Sequence, residues 1–194
     1  MTEKEKSYKG LWYDANNDKE LIEERAEARA LQFELNQTNP SEEKWHELFE
    51  ELLPNVSTTT EFITPVFVDY GYNVFTGENC FFNRNTDFID SVKINFGNNV
   101  FVGPNCGFYT AEHPLDPDDR NAGYELAKEI NIGDNVWFGG NVVVLAGVTI
   151  GSNTVIGAGS VVTKDIPEGV VAVGNPYRVI REITEGDSIK DKLV

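Results

Sequence analysis

The chain has 194 residues, a single-domain length with room for a small accessory element. Apolar residues make up 40% of it, enough for a real core, while 32 acidic against 16 basic side chains leave a net charge of −16. So acidic a body repels nucleic acid and anionic membrane surfaces, and no apolar run approaches the roughly 18 residues of a membrane span. It does not exclude an anionic small molecule, because a few local cations override an average field. The opening MTEKEKSYKGLWYD lacks the apolar stretch of a secretory signal, so a cytoplasmic location is expected. Cys80 and Cys106 are too few for a disulfide framework and read as buried free thiols.

Residues 1–15 are mixed. From about Lys19 to Asn36 the composition turns helical, with Asn17 and Glu20 spaced as a cap and Ile22, Ala26, Ala30 and Phe33 as one apolar stripe. Asn39-Pro40 reads as the cap and first-turn proline of a second helix. On it Trp45, Leu48, Phe49 and Leu52 fall at i, i+3, i+4 and i+7, and Pro54 marks its end. The two helices form a hairpin, a cap over residues 1–60 that covers one end of the rest of the chain.

Beyond Phe62 the helical period disappears and a step of six replaces it. Units open at Thr76-Gly77, Phe82 and Phe88, then at Phe96-Gly97, Val102-Gly103 and Phe108. From Ile132 the step runs unbroken through Phe138, Val144, Ile150 and Ile156 to Val162. A strict six is neither 3.6 nor 2; it predicts a parallel β-helix with three short sides per turn, about 18 residues to the turn. The opening residues line up inside the prism, and the glycines after them are expected to allow the corners. Phe88 and Phe96 are eight apart, so two extra residues within Ile89–Asn95 should be expelled as a bulge. A larger break, about residues 111–129, holds prolines, a histidine and several aspartates, and must leave the prism as a long loop. The β-helix thus covers residues 61–181, with Tyr177–Arg181 departing from the repeat, and 182–194 is a polar, frayed tail.

Candidate chemistry is sparse. His46 lies beside Trp45 on the second helix, off any polar constellation. His113, before a proline at the root of the loop, is placed to reach a groove beside the prism as a general base. Two histidines and no CxxC spacing give no catalytic zinc site, and Asp116–Asp119 reads as solvated acidic surface. No G-x-S-x-G anchors a serine nucleophile, and Gly159-Ser160 belongs to the repeat. Gly139-Gly140, after Trp137-Phe138, would let a backbone N–H approach a ligand closely. Lys164, Arg178 and Arg181 gather near the C-terminal end against the acidic background, a local positive end suited to a phosphate-bearing cofactor.

These stretches carry a resemblance. Thr110–Pro117 with its His-Pro pair, Ile132–Gly140, Gly157–Pro167, Gly174–Arg181 and the N-terminal Leu11-Trp12-Tyr13-Asp14 are similar to the galactoside and maltose O-acetyltransferases, hexapeptide-repeat acyltransferases with a left-handed parallel β-helix. The resemblance implies a homotrimer with sites between subunits, moving acetyl from acetyl-CoA to a sugar hydroxyl in a ternary complex, with no permanently bound cofactor and no metal. By the same resemblance His113 is the base and the Gly140 N–H the oxyanion donor. Asp14, Arg25, Asn83 and Asp90 match acceptor-binding positions. Trp137, Gly140, Ala158, Thr163, Lys164, Arg178 and Arg181 match the CoA path. Three departures stand out. Glu129 replaces a usual proline, which is expected to loosen the end of the loop; Ser91 stands at a position acidic in some members; and Phe recurs at hexad openings, implying a bulkier core. An amino-sugar N-acetyltransferase of the same fold and a noncatalytic β-helix binding protein are the alternatives.

Overall fold

Hexads wind into the expected prism. The computed structural model describes residues 1–193 and arranges three parallel sheets around one axis. One face stacks Glu61–Phe62, Phe81–Phe82, Phe101–Val102, Trp137–Phe138, Val155–Ile156 and Val170–Val173. The second stacks Val66–Val68, Thr86–Ile89, Gly107–Tyr109, Val143–Val144 and Val161–Val162. The third stacks Val74–Thr76, Ile94–Phe96, Ile130–Ile132 and Thr149–Ile150. The opening residues do face inward, with Phe82, Phe88, Phe108, Phe138, Val144, Ile156 and Val162 sealed from solvent. Residues 178–182 leave the repeat by turning back antiparallel along Val170–Val173.

The corners are made differently from the expectation. Asparagine turns most of them: Asn79, Asn85, Asn99, Asn105, Asn135, Asn141 and Asn153 all hold φ between 55° and 61°, while Gly147 and Gly159 take the same corner position at 79° and 72°. Asparagine tolerates this left-handed region better than other side chains that carry a Cβ. The amides then stack, Asn85 donating to Asn105 at 2.8 Å, Asn99 to Asn135 at 3.2 Å and Asn135 to Asn153 at 3.0 Å. The glycines after the opening residues answer another need. A Cβ on Gly97 would lie 2.8 Å from the Asp134 nitrogen and from the Gly133 carbonyl carbon, so these glycines let successive turns approach.

Phenylalanines fill the lower prism as one continuous column. Phe62 stacks on Phe82 at 4.4 Å, Phe82 meets Phe96 edge-on at 4.9 Å, Phe96 meets Phe108 at 5.0 Å and Phe108 meets Phe138 at 5.3 Å. Each buried phenyl ring contributes about 1.5–3 kcal/mol. Below Phe62 the column continues through Phe49 to Trp45 of the helical cap, which closes the open end of the prism.

That cap differs in detail from its prediction. A short helix α1 (Glu3–Tyr8) was not anticipated; Thr2 and Glu5 form a capping box at its start. Helix α2 (Lys19–Gln37) is capped by Asp18, whose carboxylate accepts the Leu21 N–H, and not by Asn17. It buries Leu21, Ala28 and Leu35, whereas Ile22 and Phe33 of the expected stripe are exposed. The inward face follows the tertiary partner, since α2 lies against Val66–Val68 and the second helix. Helix α3 (Glu43–Leu52) starts after Asn39-Pro40, because Asn39 spends its side-chain oxygen on a turn with Ser41. Its buried face, Trp45, Leu48 and Leu52, is the one predicted. Among the described residues no helix is long and apolar enough to cross a membrane.

The two-residue insertion is present, but it is not expelled. Asp90, Ser91 and Val92 are buried. Val92 joins a second apolar cluster with Tyr13, Ala15, Leu21, Tyr70 and Ala127. Asp90 can enter because backbone amides meet it: its two oxygens accept from Asp69, Tyr70, Gly71 and Asn73 at 3.0, 2.9, 2.7 and 3.3 Å. Those donors belong to the turn below, itself eight residues long between Val68 and Thr76, so the insertion occurs twice and stacks on itself.

Candidate active site

The break after Tyr109 is an ordered hairpin. Ala111–Glu112 pairs antiparallel with Tyr124–Ala127, and the N-terminal strand Tyr13–Asp14 adds to the other edge, Tyr13 opposite Glu125. Between them runs α4 (Pro117–Asn121), capped by Asp116, which accepts from the Asp118 and Asp119 amides. The acidic run is thus a helix start. Arg120 donates to the carbonyls of Pro114 and Leu115 at 3.0 and 3.2 Å and ties the tip down. The far end, expected to be loose at the exposed Glu129, is held by Lys128, whose amide bonds Thr110 O at 2.9 Å and whose ammonium pairs with Glu112 at 2.7 Å.

His113 sits at the root of this hairpin with its ring half exposed. Nδ1 lies 3.4 Å from the Tyr124 carbonyl oxygen. A carbonyl only accepts, so this contact assigns the hydrogen to Nδ1 and leaves the Nε2 lone pair free. Nε2 lies 3.9 Å from Glu125 Oε1, and the other Glu125 oxygen accepts the Tyr13 hydroxyl at 2.8 Å. Trp12, Pro114, Leu115 and Tyr124 line a cavity of about 420 Å³ beside it. A larger cavity, about 900 Å³ between α3 and residues 56–64, contains none of the predicted site residues.

The four acceptor-side candidates end in different places. Asp14, half-buried, pairs across the strand with Tyr124, and its carboxylate accepts from Asn17. Arg25 donates to the Tyr70 hydroxyl at 2.5 Å and to Ala15 O at 2.6 Å. Asn83, half-buried at a corner, accepts the Arg84 amide. Asp90 differs from the other three: it is fully enclosed, and its two oxygens are bound by four backbone amides. Burial raises its carboxyl to about 7, an effect the amides oppose.

Sequence reasoning missed the polar groups that stand beside Arg25. Burial pushes the Asp69 carboxyl upward, with Arg25 opposing and Glu125 and Asp87 reinforcing. Asp87 is likewise raised by burial, with the Tyr109 hydroxyl opposing. Tyr109 lies back over Gly107, where a Cβ would strike its hydroxyl. These residues come from three turns and a hairpin; only Gly107 beside an aromatic gave any local sign.

On the first face, Trp137 is 56% exposed, an indole left open to solvent. Ala158, Thr163, Lys164, Arg178 and Arg181 are exposed too. Lys164 lies 5.9 Å over the Tyr177 ring, while Arg181 is paired with Asp187 through two contacts of 2.8 Å. The 3-10 turns Glu185–Asp187 and Lys190–Lys192 give structure to a tail read as frayed. The Gly140 N–H has no hydrogen-bond acceptor among the described residues, and Gly103 keeps it open, because a Cβ there would lie 2.7 Å from the Gly140 nitrogen. Gly140 precedes the rung Val143–Val144, whereas the hairpin leaves the far end of the same face. A side of six residues spans about 15–20 Å, so the root of the hairpin and the Gly140 corner lie at opposite ends of that face.

A six-residue prism with asparagine corners, an expelled histidine hairpin and an uncovered amide defines a hexapeptide-repeat transferase. The family described as bacterial transferase hexapeptide (six repeats) matches residues 129–164, and the maltose acetyltransferase hexapeptide capping motif matches residues 6–57. A Staphylococcus aureus (strain MRSA252) protein bearing an acetyltransferase name is 55% identical over 94% of this chain and 92% of its own. The maltose O-acetyltransferase of Clostridium difficile 630 is 47% identical and superposes with a TM-score of 0.90, covering 95% of this chain and 99% of that one. A galactoside acetyltransferase in complex with coenzyme A gives 40% identity and a TM-score of 0.91, covering 96% and 94%. The chain belongs to the maltose and galactoside acetyltransferase family of left-handed β-helix, acetyl-CoA-dependent enzymes.

Proposed function

We propose that the protein transfers acetyl from acetyl-CoA to a hydroxyl of a glucose-, maltose- or galactoside-like sugar, with His113 as general base. One observation carries the reading: Nδ1 is anchored on the Tyr124 carbonyl, so Nε2 is held as a free acceptor beside a polar wall. The acceptor hydroxyl gives its proton to Nε2 as its oxygen bonds to the thioester carbon. The Gly140 N–H, free of any protein partner, takes the developing oxyanion. Cleavage of the C–S bond then returns the proton to sulfur, giving the acetyl ester and CoA thiol.

The placing of the hairpin root and the Gly140 corner at opposite ends of one face favours a shared site, His113 of one subunit meeting Gly140 of the next in a homotrimer. In this arrangement acetyl-CoA runs past Trp137, Ala158, Thr163 and Lys164, and its phosphates meet Arg178 and Arg181. Asp14, Arg25 and Asn83 face the sugar. Three carboxylates, Asp69, Asp87 and Glu125, around one arginine also suit an amine, which makes an amino sugar the second candidate acceptor.

The test is a panel of neutral and amino sugars with acetyl-CoA, read by thiol release, for the wild type and His113→Ala. Loss of a general base should cost about 10²–10⁴-fold in rate. Undiminished turnover by His113→Ala would defeat the mechanism, and a panel without any turnover would defeat the substrate class.

A further inference from the structure

We propose that Glu125 is the positioning residue for His113, held in place by Tyr13 from the N-terminal strand; this rests on the reading of His113 as the base. The carboxylate presents one oxygen to each neighbour. Oε2 accepts the Tyr13 hydroxyl at 2.8 Å, and Oε1 stands 3.9 Å from His113 Nε2. The Glu125 side chain is only 16% exposed, so water screens this pair less than it screens a surface contact. Strand pairing sets the geometry. Tyr13 lies opposite Glu125 across the edge of the hairpin, and the turn from His113 to Glu125 is closed by α4.

Among the described residues Glu125 forms no ion pair with a lysine or an arginine. Lys128, on the same strand, pairs with Glu112, and Arg25 is bound by Tyr70 and Ala15. Asp69, Asp14, the carbonyl of Tyr124 and the Lys6–Glu3 pair of α1 also stand around the hairpin root. Burial and the Glu125 carboxylate push the Tyr13 hydroxyl far above its ordinary range, so it remains a neutral donor, and Ser91 lies beside it. The insertion that carries Ser91 thereby supports the same chain of contacts.

During transfer the acceptor proton moves to Nε2, and the electron pair left on oxygen forms the bond to the thioester carbon. The imidazole is then a cation about 4 Å from a fixed anion, and opposite charges at that range favour this state over neutral imidazole. Collapse of the intermediate breaks C–S, and the proton goes from Nε2 to sulfur. Glu125 neither gains nor loses a proton; it stabilises the cation at Nε2, while the Tyr124 carbonyl at Nδ1 sets the direction of the ring.

Full-length wild type, Glu125→Gln, Tyr13→Phe, His113→Ala and the Glu125→Gln/His113→Ala double variant are compared in the thiol-release assay. Glu125→Gln retains an acceptor for Tyr13, and its Tm should stay near that of the wild type. We expect kcat to fall about tenfold or more, with both KM values within about twofold. Tyr13→Phe should give a smaller loss of the same kind. In the His113→Ala background the added Glu125→Gln change should alter the residual rate by less than about twofold, because its route of action is gone. The proposal is overturned if Glu125→Gln lowers that residual rate by the same factor as in the wild type. It is also overturned if the change raises the acceptor KM at constant kcat, or if it has no effect. Failure of the base assignment is read separately, from His113→Ala alone.

Discussion

Asp90→Asn tests whether a residue that resemblance matches to acceptor binding is instead part of the frame. The site offers the side chain only donors: Asp69 and Tyr70 amides to one oxygen, Gly71 and Asn73 amides to the other. An asparagine can satisfy one pair. Its NH2 faces the other pair in either flip, leaving two backbone donors without an acceptor. A buried donor left unmade costs about 1–3 kcal/mol. Two of them, with some relaxation of the turn, should remove about 3 kcal/mol, or roughly 6–12 °C of Tm for a chain of this size. Urea unfolding and calorimetry at pH 8 measure it. A loss below about 0.5 kcal/mol refutes the structural role, and an unchanged Tm with a raised acceptor KM would return Asp90 to the binding site. The pH dependence has a definite sign. Asp90 is raised from 3.8 to about 7, so the folded chain holds this proton more tightly than the unfolded chain. Its contribution to stability is therefore largest below the unfolded value and declines as pH rises through about 7. Asp69 and Asp87, both raised by burial, slope the same way, and Asp90→Asn should flatten the curve by Asp90's share.

Two further substitutions separate the roles of glycine and asparagine in the prism. Gly97→Ala puts a Cβ 2.8 Å from backbone atoms of the next turn and should cost more than about 3 kcal/mol or prevent folding, whereas Gly159→Ala meets nothing and should cost only the left-handed backbone, about 1–2 kcal/mol. Equal Tm losses for the two would contradict close approach as the reason for Gly97. Asn135→Ala breaks two ladder bonds and strains a corner at φ 57°, so a loss of about 2 kcal/mol is expected, while Asn135→Gly should recover the backbone part. Chemical denaturation of the three proteins decides it, and an Asn135→Gly no better than Asn135→Ala would count against backbone strain.

The six-residue period was legible because a prism with three flat sides repeats one demand, an apolar side chain inward at every opening, and a demand repeated along the chain is written along the chain. The hairpin that carries His113 was legible for the complementary reason, since a histidine and prolines where the period fails have no place in the stack. The apolar face of α3 was legible too, because Trp45, Leu48 and Leu52 obey local helical spacing. The face of α2 was not. Leu21, Ala28 and Leu35 are inward only because Val66–Val68 and α3 lie on that side, while Ile22 and Phe33 are equally apolar and point away. Glu125 and Tyr13 lie more than a hundred residues apart and meet only when the hairpin takes up the N-terminal strand. Asp90 carried a sign of function, a carboxylate in an insertion, yet four amides from the turn below made it part of the frame. Periodicity and its breaks are local and so were present in the order of residues; which polar group is left open and which is satisfied from within depends on amides and hydroxyls supplied by distant turns, and only the tertiary structure decided that.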